Sequence, residues 1–371
     1  MEKREKVILV ILLLCCPVSL QAQRWRTAYY ENYYKTVEPI SAIPWSKYTH
    51  VIQCCVAPGP YGAPGDGSVD LWQLNPTDIA AFVAAAHAAG KKALVGVMDE
   101  DNDYTLLSQD TAPGMISTFV TNLVALVQSN GFDGIDLDWE QDINVSQYED
   151  LESRLRAAMP SAIITQPINW QSSFVAVAAA GQSNLDQINV MCYDEDSYGY
   201  ITYSWYNSSL FQAGNPGLDT CAWIVGVVLD SGIAASKLGI GIAFYGRKWE
   251  NVSTPEAAVS YPATVSTVFY NDVVLNPLLW KPEYQFYDSV HKANYLSIAP
   301  LNEFISLTGT QQIVDTVSWT NASGFGGLMT FSLSYEYLSG QTGDARYPLS
   351  TALYDAAFKP QPPQGLHVSV R

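Results

Sequence analysis

Along the chain, short apolar runs of strand length alternate with longer segments of helical character. Strands are expected at Thr27–Tyr30, His50–Val56, Ala93–Met98, Gly134–Trp139, Ile163–Ile168, Ile188–Tyr193, Leu238–Phe244 and Gly327–Phe331. Between several of them the helix signals are clear. Asn75–Pro76–Thr77 supplies a capping residue and a proline for the first turn, and Gly90 supplies the stop. Comparable patterns predict helices over Met115–Ser129, Gln147–Ala158 and Ala222–Ser231, with a final helix near Leu349–Ala357.

Eight strands with intervening helices are what a (β/α)8 TIM barrel, an α/β fold, requires. The competing arrangement is a doubly wound open sheet, which usually carries a glycine-rich phosphate loop after its first strand. None is present. Gly239 and Gly241 fall inside a strand and lack a third glycine. Residues 250–307 are too long for an ordinary loop and rich in Tyr, Pro and Trp. They predict a small α+β insertion between strands seven and eight, at the active-site end of the barrel. The domain plan is thus a leader over 1–22, a barrel over 23–359, and a proline-rich tail over 360–371 whose last residues resemble the start of a fibronectin type III module.

One stretch breaks the apolar pattern. "GFDGIDLDWE", Gly131 to Glu140, places Asp133, Asp136, Asp138 and Glu140 within a strand of a chain that is only 15% charged. Alternation sends Ile135, Leu137 and Trp139 to one face and Asp136, Asp138 and Glu140 to the other, in a row of roughly 13 Å. Like charges so spaced repel, and burying unpaired carboxylates costs several kcal/mol each. Such a row makes sense where one acid is meant to stay protonated, the usual apparatus for giving a proton to a leaving oxygen.

Composition narrows the partners. Lys3, Arg4 and Lys6 followed by the apolar run Val7–Cys16 and a small-residue site after Ala22 read as a secretory leader. That run is too short to span a bilayer. The protein is therefore expected to be secreted: extracellular, or periplasmic in a bacterium. A formal charge of −17 argues against nucleic acid or anionic membrane as partners; a monomer is expected. Cys54, Cys55, Cys192 and Cys221 allow three pairings. Adjacent Cys54 and Cys55 lie in a strand and should face opposite ways, so free buried thiols are at least as reasonable there as disulfides. The histidines are scattered, no cysteine–histidine spacing suggests zinc, and no metal or cofactor is assigned. Asn144, Asn207, Asn251 and Asn321 each begin an N-x-Ser sequon.

The acid row, preceded by "GF", resembles the D-x-x-D-x-D-x-E signature of glycoside hydrolase family 18, the chitinase family. "MCYD" (Met191–Asp194) is similar to that family's sixth strand, "LGIGIAFYGRKW" to its seventh and "GFGGLMTFSL" to its eighth. "AYYENYY" and "YTHVIQCCV" are similar to the first two, so the likeness covers 26–358. The resemblance implies roles. Glu140 would protonate the glycosidic oxygen. Asp138 would orient the substrate's N-acetyl group and stabilise an oxazolinium intermediate, and Asp136 would share a proton with Asp138. Tyr193 would hydrogen-bond the acetamide carbonyl, while Asp133 would support the strand. Asp194, Met191, Phe331, Tyr30, Tyr245 and Arg247 would contact sugar. The chain departs from the family pattern at Gly96–Asp99 ("GVMD" for S-x-G-G), at Phe331 for tryptophan under the reacting sugar, at Gln141 for an aromatic, and at "FISLTG". Implied activity is cleavage of β-1,4 bonds in chitin or N-acetylglucosamine oligosaccharides. The alternatives are an endo-β-N-acetylglucosaminidase acting on N-glycans, or a chitin-binding lectin without activity.

Overall fold

The computed structural model describes residues 24–59, 64–99, 105–212 and 219–358. The leader 1–22 and the tail 360–371 lie outside the described residues. Eight parallel strands close into a barrel: β1 (Trp25–Glu31), β2 (His50–Gly59), β3 (Lys92–Met98), β4 (Gly134–Asp138), β5 (Ile163–Ile168), β6 (Gln187–Val190), β7 (Leu238–Ala243) and β8 (Gly327–Phe331). Closure is made by β1, which pairs with β8 from Trp25↔Gly327 and with β2 from Thr27↔His50. A short strand, Ser68–Asp70, runs antiparallel to the far end of β2.

Helices α1 (Pro76–Ala88), α2 (Ile116–Asn130), α3 (Val145–Ala158), α4 (Ser172–Gly181), α5 (Cys221–Asp230), α6 (Thr310–Ser323) and α7 (Pro348–Phe358) surround the strands. Local chemistry sets their limits. The Asn75 side chain accepts the Asp78 amide at 3.0 Å at the start of α1, as the capping signal predicts. Gly131 ends α2 at φ +76, a left-handed conformation glycine adopts without steric cost. No helix among the described residues is long and apolar enough to cross a membrane.

Alternation then sorts the strand residues. Ala28, Val51, Val95, Ile135, Leu137 and Ile164 face outward and pack against Phe82, Phe119, Leu151 and other apolar faces of the helices. Tyr29, Ile52, Leu94 and Met329 face the barrel interior. Cys54 and Cys55 correct the sequence reading. The register between β2 and β3 shifts between Gln53 and Val56, a bulge that turns both cysteines inward, and their sulfurs are bonded to each other. Cys192 is bonded to Cys221 at the start of α5. All four are paired, and neither Cys54 nor Cys55 is a free thiol.

Between β7 and β8 stands a five-stranded antiparallel sheet, in the order Val265–Phe269, Tyr245–Glu250, Glu303–Leu307, Ala293–Ile298, Gln285–Asp288. It starts at Tyr245, ahead of the 250 read from composition, because "YGRKW" continues the strand-like pattern of β7 without a break. Trp205, Tyr206, Trp249 and Phe304 form its core.

One buried acid in the helical layer makes the fold sensitive to pH. Glu152 lies on the inner face of α3, fully buried and with both carboxyl oxygens unpartnered. A β-carbon on Gly181 of α4 would fall 1.7 Å from its Oε2, so a larger residue there would force the Glu152 carboxyl to shift. Burial, with a smaller effect from the Glu149 charge, pushes the Glu152 carboxyl up to about 9, against about 4.3 in an unfolded chain. The folded state keeps a proton that the unfolded state releases, so stability falls as pH rises between those values. In Glu152→Gln, thermal unfolding at about pH 5 and about pH 8 should show a shallower loss, by on the order of 1–4 kcal/mol. An unchanged slope would mean that Glu152 is not held protonated.

Candidate active site

Strand β4 runs up the barrel wall and delivers its acids to the C-terminal rim. Asp136 is fully buried in the interior, where Tyr29 donates to Oδ2 at 2.7 Å and Thr165 donates to Oδ1. Burial pushes its carboxyl up to about 7, and those two hydrogen bonds pull the other way. Asp138, one turn of the pleat higher, is 8% exposed with Oδ1 unpartnered. Burial, then the nearby charges of Glu140 and Asp136, raise Asp138 well above the ordinary carboxylate range. Its proton is shared toward Glu140 in a side-chain hydrogen bond. Glu140 lies just past the strand, exposed to solvent on one side and set among the groups that line the rim cavity on the other. Enclosure by those groups raises it too, with the Asp194 charge adding and the bond from Asp138 opposing. The three acids form a graded series: deep and hydrogen-bonded, buried and proton-sharing, then accessible.

The rim opens into a cavity of about 690 Å³ lined by Asp138, Glu140, Tyr193, Tyr29, Phe331 and Trp72, among others. Tyr193 lies at the end of β6, with its ring centroid 6.4 Å from that of Phe331 and 5.8 Å from that of Tyr245. Met191 lines the same cavity, while Cys192 between them faces α5. Asp194 begins the following loop at φ +60. It accepts from Tyr245 at 2.8 Å, Tyr198 at 3.0 Å and the Arg247 guanidinium. Arg247 also lies 3.5 Å from Asp196, its guanidinium 4.1 Å over the Tyr198 ring.

Thus the structure gathers Asp136, Asp138, Glu140, Met191, Tyr193, Asp194, Tyr245, Arg247 and Phe331 at one end of the barrel. Asp133 lies at the other end. Although burial works against it, hydrogen bonds from Lys92 (2.7 Å), the Ala93 amide (2.9 Å) and His87 (2.9 Å) hold it below its ordinary range. Tyr30 is not in the cavity. It points to the helical layer, its ring 5.9 Å from Phe82 and its hydroxyl on the Glu38 carbonyl at 2.8 Å. Tyr29 occupies the inward position, because odd-numbered residues of β1 share the face of Thr27 and Glu31. That polar face was visible in the sequence and could have identified Tyr29. Glu31, Trp72, Tyr198 and Tyr335 also line the cavity and escaped sequence reasoning. Glu31 accepts from Ser332, Tyr33 and Tyr335, and burial raises its carboxyl.

Beyond Glu140 a second cavity, of about 550 Å³, is lined by Gln141, Asp142, Trp170, Asp219 and Ile224, and shares Met191, Tyr193, Asp194 and Tyr198 with the first. Among the described residues one metal-type grouping occurs, Glu256, Asp288 and His291, with ligand atoms within 4.8 Å of one another. It belongs to the insertion and lines neither cavity.

A closed barrel with acids at its C-terminal rim is the architecture of (β/α)8 enzyme folds. The model of Glycosyl hydrolases family 18 matches residues 26–336, and the chain belongs to that family. It is similar to Endochitinase 1 of Metarhizium robertsii, 27% identical over 244 residues, covering 59% of this chain and 55% of the relative. The chain spans about half or less of the length of the first curated relatives it matches. Among solved structures it is similar to a Group IV chitinase of Ostrinia furnacalis (TM-score 0.76, 18% identity, 90% of this chain and 99% of that one). It is also similar to a chitinase-like agglutinin of Robinia pseudoacacia (TM-score 0.73, 21% identity, 89% and 99%). At these identities the structural likeness is one of fold.

The Tyr29–Asp136 bond can be tested directly. Tyr29→Phe leaves Asp136 Oδ2 buried without its donor. Above about pH 7 the carboxylate needs that donor, whereas below it the protonated acid does not, so the loss should be larger at about pH 8 than at about pH 5. Thermal unfolding should show on the order of 1.5–3 kcal/mol at the higher pH. Equal losses at both would mean Asp136 does not titrate in that window.

Proposed function

We propose that the protein is a secreted glycoside hydrolase cleaving β-1,4 bonds beside N-acetylglucosamine in chitin-type polymers or oligomers, by a retaining, substrate-assisted route. The carrying observation is the complete row Asp136–Asp138–Glu140, opening into a cavity floored by Phe331 with Tyr193 beside it. Glu140, whose hold on a proton enclosure strengthens, gives a proton to the glycosidic oxygen. The acetamide oxygen of the donor sugar attacks the anomeric carbon as that bond breaks, which is why the family stands outside the two-carboxylate scheme. Asp138 accepts from the acetamide N–H and stabilises the positive ring that forms. Asp136 takes part of the proton that Asp138 gives up. Tyr193 donates to the acetamide oxygen and aims it. Water then opens the ring, with Glu140 receiving its proton. The basic leader pattern of residues 1–22 supports export from the cell.

A lectin without activity is the second reading, and likeness to an agglutinin keeps it in view. Such a protein has no need of a proton-sharing pair at the bond to be broken, and Asp138 and Glu140 form one.

Glu140→Gln should keep oligosaccharide binding and lose roughly 10²–10⁴-fold in turnover, measured by product mass on chitin oligomers. Because the acid form of Glu140 is the active one, kcat/KM should fall as pH rises, with a midpoint above the ordinary glutamate range of about 4.3. The first product should be the β-anomer, with an N-acetyl group on every new reducing end. Early α-anomer in proton NMR, or new reducing ends that are mostly glucosamine, would defeat the substrate-assisted reading.

A further inference from the structure

The two cavities differ in charge, and Glu140 stands at their boundary. The first holds Asp138 and Phe331, and so takes the sugar whose anomeric carbon reacts. The second shares Glu140 with it and lacks both. It is where the leaving sugar sits if Glu140 protonates the oxygen between them. This step rests on the function proposed above.

The leaving-side cavity combines an aromatic platform with uncompensated acid. Trp170 is 42% exposed there, braced edge-on by Trp223 at 5.6 Å between ring centroids. Such a ring offers its face to a sugar. The titratable side chains of the lining are Glu140, Asp142, Asp194 and Asp219 with the hydroxyls of Tyr193 and Tyr198, and no Lys, Arg or His is among them. Asp194 is neutralised by Arg247 and Glu140 is held toward its acid form. Asp142 and Asp219 have no cationic partner among the described residues. The segment before Asp219, "AGNPGL" at 213–218, contains no charged residue that could supply one. Asp219 is half-buried, and burial raises its carboxyl, so a cation beside it would be favoured.

We infer that the leaving-group side of the site selects a glucosamine residue, whose ammonium faces Asp142 and Asp219, over N-acetylglucosamine. The preferred substrate is then a partly deacetylated chain, cut between an acetylated sugar in the first cavity and a free amino sugar in the second. The two sides of the bond read opposite chemistry: an amide nucleophile on one, a positive charge on the other.

Partly acetylated chitosan of random sequence, digested at about pH 5 where the sugar amine carries its proton, tests this. Both new ends are sequenced. Glucosamine should be enriched roughly fivefold at new non-reducing ends, the scale of one partly screened charge contact. Enrichment should fall toward random when salt is raised to about 1 M, where the screening length is about 3 Å. It should also fall in the double variant Asp142→Asn, Asp219→Asn, while reducing ends stay acetylated. The salt series uses the unaltered protein and decides the matter even where the variant fails to fold. Random or acetyl-rich non-reducing ends beside acetylated reducing ends would overturn this inference and leave the proposed reaction standing. Enrichment that survives both salt and the double variant would overturn the role of the two aspartates. Absence of cleavage, or glucosamine at the reducing ends, would overturn the reaction itself and the inference with it.

Discussion

Carboxyl groups crowded into a barrel interior are the constraint on which the rest of this structure is organised. An ionised carboxylate in such surroundings must find donors or a proton. Asp136 finds donors in Thr165 on the adjacent β5 and in Tyr29 on β1, so the acid also ties β4 to a strand with which it does not pair. Asp138 finds a proton and shares it with Glu140. The same solution recurs away from the rim. Glu336 is buried against the start of α7, accepting from the Leu349 and Ser350 amides and the Ser350 hydroxyl, and burial pushes it up to about 8. Glu38 is buried beneath Tyr347 and Ser334 and pushed up to about 7. A chain with so acidic a formal charge folds by keeping several of its acids neutral or fully hydrogen-bonded.

The insertion completes what the barrel begins. Tyr245 and Arg247 lie on one strand of its sheet, Thr267 and Phe269 on the adjacent strand, and all four reach the first cavity. Arg247 is gripped between Asp194, Asp196 and the Tyr198 ring, which fixes the loop after β6 against the insertion. Phe269 stacks on Tyr335 at 4.0 Å between centroids, linking the insertion to the turn after β8. One wall of the pit is thus made by a second sheet whose own core, around Trp249 and Phe304, is separate from that of the barrel.

How much of this was legible in the sequence follows from the range of the interactions involved. Alternation along a strand is local, so the inward acids of β4, the outward Ile135 and Leu137, and the eight strands themselves could be read directly. The start of α1 at Asn75 and its stop at Gly90, which has φ +67, depend on backbone chemistry within one turn, and were equally plain. Choosing Tyr30 over Tyr29 was an error of one position, and in a strand one position exchanges faces. The pairing of Cys54 with Cys55 was hidden because a bulge suspends the alternation for which the sequence was read. Trp72, Trp170, Tyr198 and Asp219 come from loops whose paths are set by contacts distant in sequence, and no periodic pattern marks such residues.

Asn207 carries a consequence for how the chain can be made. It begins one of the N-x-Ser sequons, yet it is 1% exposed. Its Oδ1 accepts the Asp194 amide at 3.3 Å, and its Nδ2 donates to the Tyr245 carbonyl at 3.2 Å. An oligosaccharide on that nitrogen would replace a donor hydrogen and would have no room inside the fold. In a host that modifies such sites during translocation, attachment at Asn207 and closure of the Asp194 loop exclude each other, so the order of those two events would divide the product into folded and misfolded pools. Asn251, exposed at φ +62 in a turn of the insertion, imposes no such conflict.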